Sequence, residues 1–242
     1  VAETLPGLVQ MQELQYSTCS SVLIYGPAGI GKTTAAFSLE PRKGRFVLDF
    51  EAGLKVVRDK KASVFRVSNY QQLWQAIMWL QKDEDHDIVI ADTLTEMARV
   101  IMLGALQMPT NRPVAELPVL QDWTLTIERV RTVVRKLREL IYKGKYVIFT
   151  AAASVDKDQN TGKVIGGPEL PGKQLSPEVC YLMDEVYRMD AQGTPTGIKR
   201  ALYTAPDSIW VSKSRIPGLP AVIEAKLNDP TLNFLRKETA NG

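Results

Sequence analysis

The chain has 242 residues, 45% of them hydrophobic and 24% charged, with a formal net charge of +3 and a pI near 8.8. These proportions fit a globular protein with a full core, include no apolar run of membrane-spanning length, and make nucleic acid a compatible partner without requiring one. Two distant cysteines, Cys19 and Cys180, and a single histidine, His86, point away from a disulfide framework, a zinc site and triad or multi-histidine chemistry.

The N-terminal stretch VAETLPGLVQMQELQ has neither the basic start nor the continuous apolar centre of a secretory signal, so the expected compartment is the cytoplasm. The first predicted strand, Ser21-Val22-Leu23-Ile24-Tyr25, gives way to small residues and then to a helix-like pattern from Thr33 to Leu39. Between them Gly26, Pro27, Ala28, Gly29, Ile30, Gly31, Lys32, Thr33 and Thr34 fit G-x-x-x-x-G-K-[ST] in its strand-to-helix setting, which reads as a phosphate-binding loop. The glycines let successive N–H groups converge on phosphate oxygens. Lys32 brings a mobile ammonium to the β- and γ-phosphates, and the Thr33 hydroxyl is a magnesium ligand, so ATP and Mg2+ are the expected cofactors.

Residues 44–50 form the next predicted strand, with Glu51, Ala52 and Gly53 at its turn, followed by a strand over 63–67. A helix is predicted over 70–82, with Leu73, Trp74, Ile77 and Leu80 on one face and Trp74 and Trp79 in the core. His86, in the acidic stretch DEDHD, is expected in a solvated turn. The apolar run 87–92 reads as a buried central strand ending in Asp92, a Walker B candidate.

Residues 103–121, with Pro109, Pro113, Pro118, and Arg112 against Glu116, are expected to form a long loop. A long helix over 122–143 stops at Gly144; its Arg129, Arg131, Arg135, Lys136 and Arg138 suit a solvated outer face, and Trp123 near its start is a candidate for base stacking. A buried strand over 145–150 leads into a second expected long loop, 155–177; residues 154–179 carry three lysines against four acids. Strands over 184–189, 199–204 and 208–213, with a turn over 190–197, and a short helical stretch over 221–227 complete the chain. The predicted class is α/β: a mostly parallel twisted sheet flanked by helices, with antiparallel strands at the C-terminal end, in one domain over residues 1–242.

Thr93 follows Asp92 where AAA+ machines and many helicases place a catalytic glutamate, so the base must come from elsewhere. Glu51, at the end of a strand expected next to the phosphate-loop strand, is placed to supply it. GPAGIGKTT (26–34), FVLDFEAG (46–53), IVIADTLTE (88–96) and VSKSRIPGLP (211–220) then occur in the order and spacing of a RecA core. Over about residues 20–230 the chain resembles the bacteriophage core-only RecA-like P-loop ATPases, proposed single-strand annealing recombination proteins.

That resemblance implies Glu51 as catalytic base, Asp92 with Thr33 at the metal, and Lys213 and Arg215 as fingers reaching a neighbouring subunit's ATP. A solvated basic strand end is the other reading of the pair. It further implies a homo-oligomeric ring or filament, single-stranded DNA and a single-strand-binding protein as partners, no membrane, and the host cytoplasm as location. Where the family places a γ-phosphate-sensing glutamine, this chain has Ala151, Ala152 and Ala153, which leaves Thr150 or Ser154 to couple ATP to the following loop. An ATP-dependent scaffold with little hydrolysis and a small-molecule kinase remain alternatives; a ParA-type ATPase is disfavoured by Pro27 and Ala28.

Overall fold

The structure is a computed structural model and describes residues 17–106, 117–157, 162–195, 197–226 and 231–240. Apolar runs bounded by turn residues form β1 (Ser21–Gly26), β2 (Arg45–Asp49), β3 (Ser63–Arg66), β4 (Ile88–Asp92) and β5 (Tyr146–Lys157). All residues of β1, β2 and β4 and the first six of β5 are buried, as parallel strands covered on both faces must be. Four further strands, β6 (Val164–Pro168), β7 (Glu185–Thr194), β8 (Gly197–Tyr203) and β9 (Val222–Glu224), pair antiparallel to a neighbour or extend the sheet.

Among the described residues these nine strands make one sheet in the order β3-β2-β4-β5-β1-β7-β8-β9, with β6 on β5 outside that path. The parallel register sets Gly26 opposite Ala152, Tyr25 opposite Arg188, and Asp49 opposite Asp92. The carboxyl ends of β1, β2 and β4 therefore gather on one edge beside the middle of β5. The strand leading to Glu51 departs from expectation in its place in the sheet. β2 is not next to β1; β4 and β5 lie between them. Adjacency in a parallel sheet is set by the crossovers between strands, which leave no mark in the strands themselves.

The helices are α1 (Lys32–Ala36), α2 (Tyr70–Leu80), α3 (Leu94–Leu106), α4 (Leu120–Arg138) and α5 (Leu175–Leu182). In α2, Asn69 Oδ1 accepts the Gln72 N–H at 2.9 Å and Leu73, Ile77 and Leu80 are buried. Those side chains contribute about 1.5–3 kcal/mol each against about 1 kcal/mol for the cap, so packing decides where this helix sits. Trp74 is half-buried, but Trp79 is not a core residue. It stays 50% exposed and lays its ring beside Phe46 and His86, at centroid distances of 5.2 and 6.0 Å. His86 in turn is held rather than solvated, with Nδ1 2.9 Å from Asp83 Oδ1 and Nε2 2.8 Å from Ser63 Oγ.

The expected loop over 103–121 is shorter at both ends. Leu94, Met97, Ala98, Ile101 and Ala105 give α3 a buried stripe that carries it to Leu106, and α4 begins at Leu120. Pro109, Arg112, Pro113 and Glu116 lie outside the described residues. Gly144 stops the long helical run in the left-handed conformation, at φ 75°.

Among the described residues, the second expected loop contains regular secondary structure at both ends and in its middle. β5 continues to Lys157 and pairs with β6 from Ala153↔Pro168 to Lys157↔Val164, and α5 starts at Leu175. Pro177 is compatible with α5 because it sits in the first turn, where its missing N–H has no partner to lose. Residues 208–213 make isolated bridges at Trp210 and Lys213 instead of a strand, and within the stretch expected to be helical Val222–Glu224 form β9. The described part of the turn expected over 190–197 is a continuing ladder, reaching Thr194↔Gly197.

Candidate nucleotide site

β1 ends at Gly26, and the chain then turns sharply into α1. The turn needs Gly29 at φ 71° and Gly31 at φ 103°, conformations that a side chain would strain. Gly26 is needed for another reason: a Cβ there would lie 2.3 Å from the Met189 carbonyl oxygen, so β1 could not approach β7. The N–H groups of Ala28, Gly29 and Gly31 have no acceptor among the described residues. Left-handed steps of this kind gather successive N–H groups into a concavity that suits phosphate oxygens.

Lys32 Nζ folds over the loop and donates to the carbonyls of Gly26 at 2.9 Å and Pro27 at 2.7 Å. Burial lowers its pKa, while the carboxylates of Glu51 and Asp92 act in the opposite direction. Thr33 Oγ1 donates to the Asp92 carboxylate at 3.1 and 3.2 Å, and Thr150 Oγ1 donates to Asp92 Oδ1 at 2.5 Å. Asp92 is 1% exposed, and burial raises its pKa against the two hydroxyl donors. A hydroxyl and a buried carboxylate form an oxygen donor set that fits a hard divalent cation, whose charge would relieve the cost of burying the carboxylate.

Glu51 arrives from β2 through a turn built by Asp49. Asp49 Oδ1 accepts the Ala52 N–H at 2.8 Å, and Oδ2 accepts Arg66 Nη2 at 2.9 Å. Ala52 adopts φ 60°, a left-handed step. The Glu51 side chain crosses to the end of β4, where Oε1 accepts Thr93 Oγ1 at 2.7 Å; Thr93 Oγ1 also accepts the Glu96 N–H at 3.2 Å in the first turn of α3. The Asp92–Thr93 peptide is cis.

Gly29, Gly31, Lys32, Thr33, Glu51 and Thr93 line one cavity of about 710 Å3, a size suited to a nucleotide. Arg200 of β8 also lines it and donates from Nε to the Ile30 carbonyl at 2.9 Å. Sequence reading missed Arg200, Asp49 and the Thr93 contact. Arg200 becomes relevant only because β8 folds back beside the loop, and nothing local to residue 200 signals that.

The family described as AAA domain matches residues 19–216. The chain belongs to the AAA domain family. Comparison with curated proteins finds no match. An AAA domain has a P-loop NTPase fold, so the activity is nucleotide-dependent, and such sites typically take Mg2+ with the nucleotide.

In this AAA domain Lys213 and Arg215 do not line the cavity. Lys213 pairs through its backbone with Val186, and its Nζ donates to the carbonyls of Met183 at 2.5 Å and Tyr181 at 2.9 Å. Burial, and then Arg215, lower its pKa. Arg215 Nη1 donates to Asp184 Oδ1 at 2.7 Å, and Asp184 in turn accepts the N–H of Ser21 at the amino end of β1. Of the basic residues on α4, Arg131 and Arg135 pair with Glu178, Lys136 with Glu139, and Arg138 with Asp184, while Arg129 stacks over Tyr70. Trp123 is 43% exposed beside an apolar groove of about 530 Å3. Among the described residues, no helix is long and apolar enough to cross a membrane.

Proposed function

We propose that the protein is an ATP-hydrolysing, self-assembling single-stranded DNA-binding protein that promotes annealing in recombination, of the bacteriophage RecA-like kind its sequence resembles. The observation that carries this reading is a division of the chemistry. The loop and Glu51 line one cavity with Asp92 held behind Thr33, while Arg215 stands at the far end of β1 and Lys213, bridged to Val186, turns its Nζ away to the Met183 carbonyl. β1 has six residues, and at about 3.3 Å per residue that is too far for a side chain to reach back to its own loop. The Arg215 side chain is 58% exposed and open to a second copy.

In this reading Lys32 holds the β- and γ-phosphates, and Thr33 and Asp92 hold Mg2+, which when bound neutralises phosphate charge. Glu51 stays anchored by Oε1 on Thr93 and accepts the proton of the attacking water at Oε2. A neighbour's Arg215 stabilises charge developing on the transferred phosphoryl, an effect worth about 10³ to 10⁵ in rate. Single-stranded DNA follows the β5–β6 hairpin, which leaves the sheet just past Ala152, a residue of the cavity wall. The hairpin presents Val155 and Ile165 rather than a strong positive charge, so shape and stacking contribute more than ion pairing.

The test is ATP hydrolysis with and without single-stranded DNA, together with mass in solution. DNA-stimulated release of phosphate by an oligomer is expected. ATP-dependent oligomers without phosphate release would instead select a nucleotide-dependent scaffold, a reading favoured by the alanines at 151–153, which cannot hydrogen-bond a phosphate. Transfer of phosphate to a nucleoside monophosphate would select a kinase.

A further inference from the structure

At the mouth of the β5–β6 hairpin, Ala152 and Glu169 face each other one step inside the last ladder pair, Ala153↔Pro168. Residues at such a position ordinarily exchange two backbone hydrogen bonds. Here one is present, Glu169 N–H to Ala152 O at 2.8 Å. The other is replaced by a side chain: Thr95 Oγ1 accepts the Ala152 N–H at 3.0 Å and donates to the Glu169 carbonyl at 3.0 Å. A single buried hydroxyl from α3 therefore closes the base of the hairpin.

The same turn of α3 is tied to the nucleotide cavity. Thr93, two residues earlier, donates to Glu51 and accepts the Glu96 N–H, and Ala152 itself lines the cavity. Thr33 and Thr150 hold the adjoining Asp92. No side chain from 151–153 can make a polar contact with a phosphate, so β5 has no direct sensor there. We infer that Thr95 is the positioning residue that couples the nucleotide site to the β5–β6 hairpin: its hydroxyl links the first turn of α3, anchored through Thr93 and Glu51, to both strands of the hairpin base. Nucleotide and cation bound at Lys32, Thr33 and Asp92 immobilise that turn, which fixes the hydroxyl between Ala152 and Glu169 and holds the hairpin closed. The inference rests on nucleotide binding and on no DNA contact.

The experiment is backbone hydrogen exchange of the full chain, with and without Mg·ATP, read over residues 150–157 and 162–170. In the wild type, ATP slows exchange of the hairpin amides about fivefold or more, the lower end of ordinary coupling between sites. Thr95→Val keeps the shape but removes the hydroxyl. It should still bind a fluorescent ATP analogue, yet its hairpin should exchange at the same rate with and without nucleotide, and Thr95→Ser should restore the response. Hairpin amides that ignore ATP in the wild type, or a Thr95→Val hairpin that responds as the wild type does, would overturn the role. If Thr95→Val does not fold, the Ala152 amide of the wild type decides, because it must slow together with the hairpin when ATP binds. A hairpin that answers to ATP in a protein that fails to bind single-stranded DNA would remove the annealing function and leave the role of Thr95 standing.

Discussion

Lys32, Thr33 and Glu51 line one cavity with Asp92 held directly behind Thr33, although they come from three separate strand ends, and each can be tested alone. Lys32→Ala removes the ammonium aimed at the phosphates, so ATP binding should be lost in a nucleotide titration. Glu51→Gln keeps the shape and can still accept the Thr93 hydroxyl, but it cannot take a proton. ATP binding should persist while steady-state hydrolysis falls by about 10² or more; near-normal turnover would place the base elsewhere. The cysteines lie outside this chemistry. Burial pushes the Cys180 thiol up to about 12 and raises Cys19 as well. Neither should react with a maleimide in the native protein at mildly alkaline pH, and both should react in denaturant, as counted by mass spectrometry.

Between elements, close approach and buried charge hold the site's frame. Gly26→Ala would drive a methyl to 2.3 Å from the Met189 carbonyl and pry β1 from β7. A loss of about 1–3 kcal/mol in urea unfolding is expected, together with weaker ATP binding, since the loop starts at this residue. At the opposite end of the sheet the 3-10 segment Thr231–Ala240 docks through Arg236, whose Nη2 donates to Asp87 Oδ2 at 2.9 Å. Burial alone would raise the Asp87 pKa, but Arg236 and the N–H groups of Arg42 and Lys43 outweigh it and carry it below its ordinary 3.8. A carboxylate whose pKa is depressed on folding adds stability above its unfolded value and loses it as pH falls through the folded one. Asp87→Asn, which leaves Arg236 without that carboxylate, should therefore cost about 2–4 kcal/mol at neutral pH. The gap from wild type should close on acidification below 3.8, followed by urea unfolding across a pH series.

Across the whole molecule, the distance between the cavity and the Lys213–Arg215 pair makes assembly the decisive property of the proposed function. Arg215→Ala should bind ATP but fail to complete a neighbour's site; Lys32→Ala retains its fingers and lacks a working loop. Neither should hydrolyse ATP alone, while a mixture should recover part of the activity at interfaces that join a good loop to a good finger. Silence at every mixing ratio, despite co-assembly, would assign Arg215 to its Asp184 contact and the fold alone. Under the same reading, three to five phosphates neutralised per subunit give a log-log salt slope of roughly −2 to −3.5 for single-stranded DNA. A slope near zero, or equal affinity for duplex, would remove the annealing role.

The phosphate loop, the buried strands and the carboxylate at the end of β4 are legible in the chain because each is a short-range pattern. Gly29, Gly31 and Lys32 are dictated by the turn they make, and a run such as Ile88–Asp92 is apolar throughout because both faces are covered. Long-range pairing decided the rest. Val222–Glu224 is a strand only because β8 offers it an edge, Val155 and Ile165 belong to a hairpin only because their strands meet, and β2 is parted from β1 by crossovers that no local pattern encodes. Glu51 could be named from sequence, but Asp49, Thr93, Thr95 and Arg200 could not. Residue type and spacing specify which groups can do chemistry, whereas the partners that orient them are brought near by the sheet, across separations at which sequence carries no periodic signal.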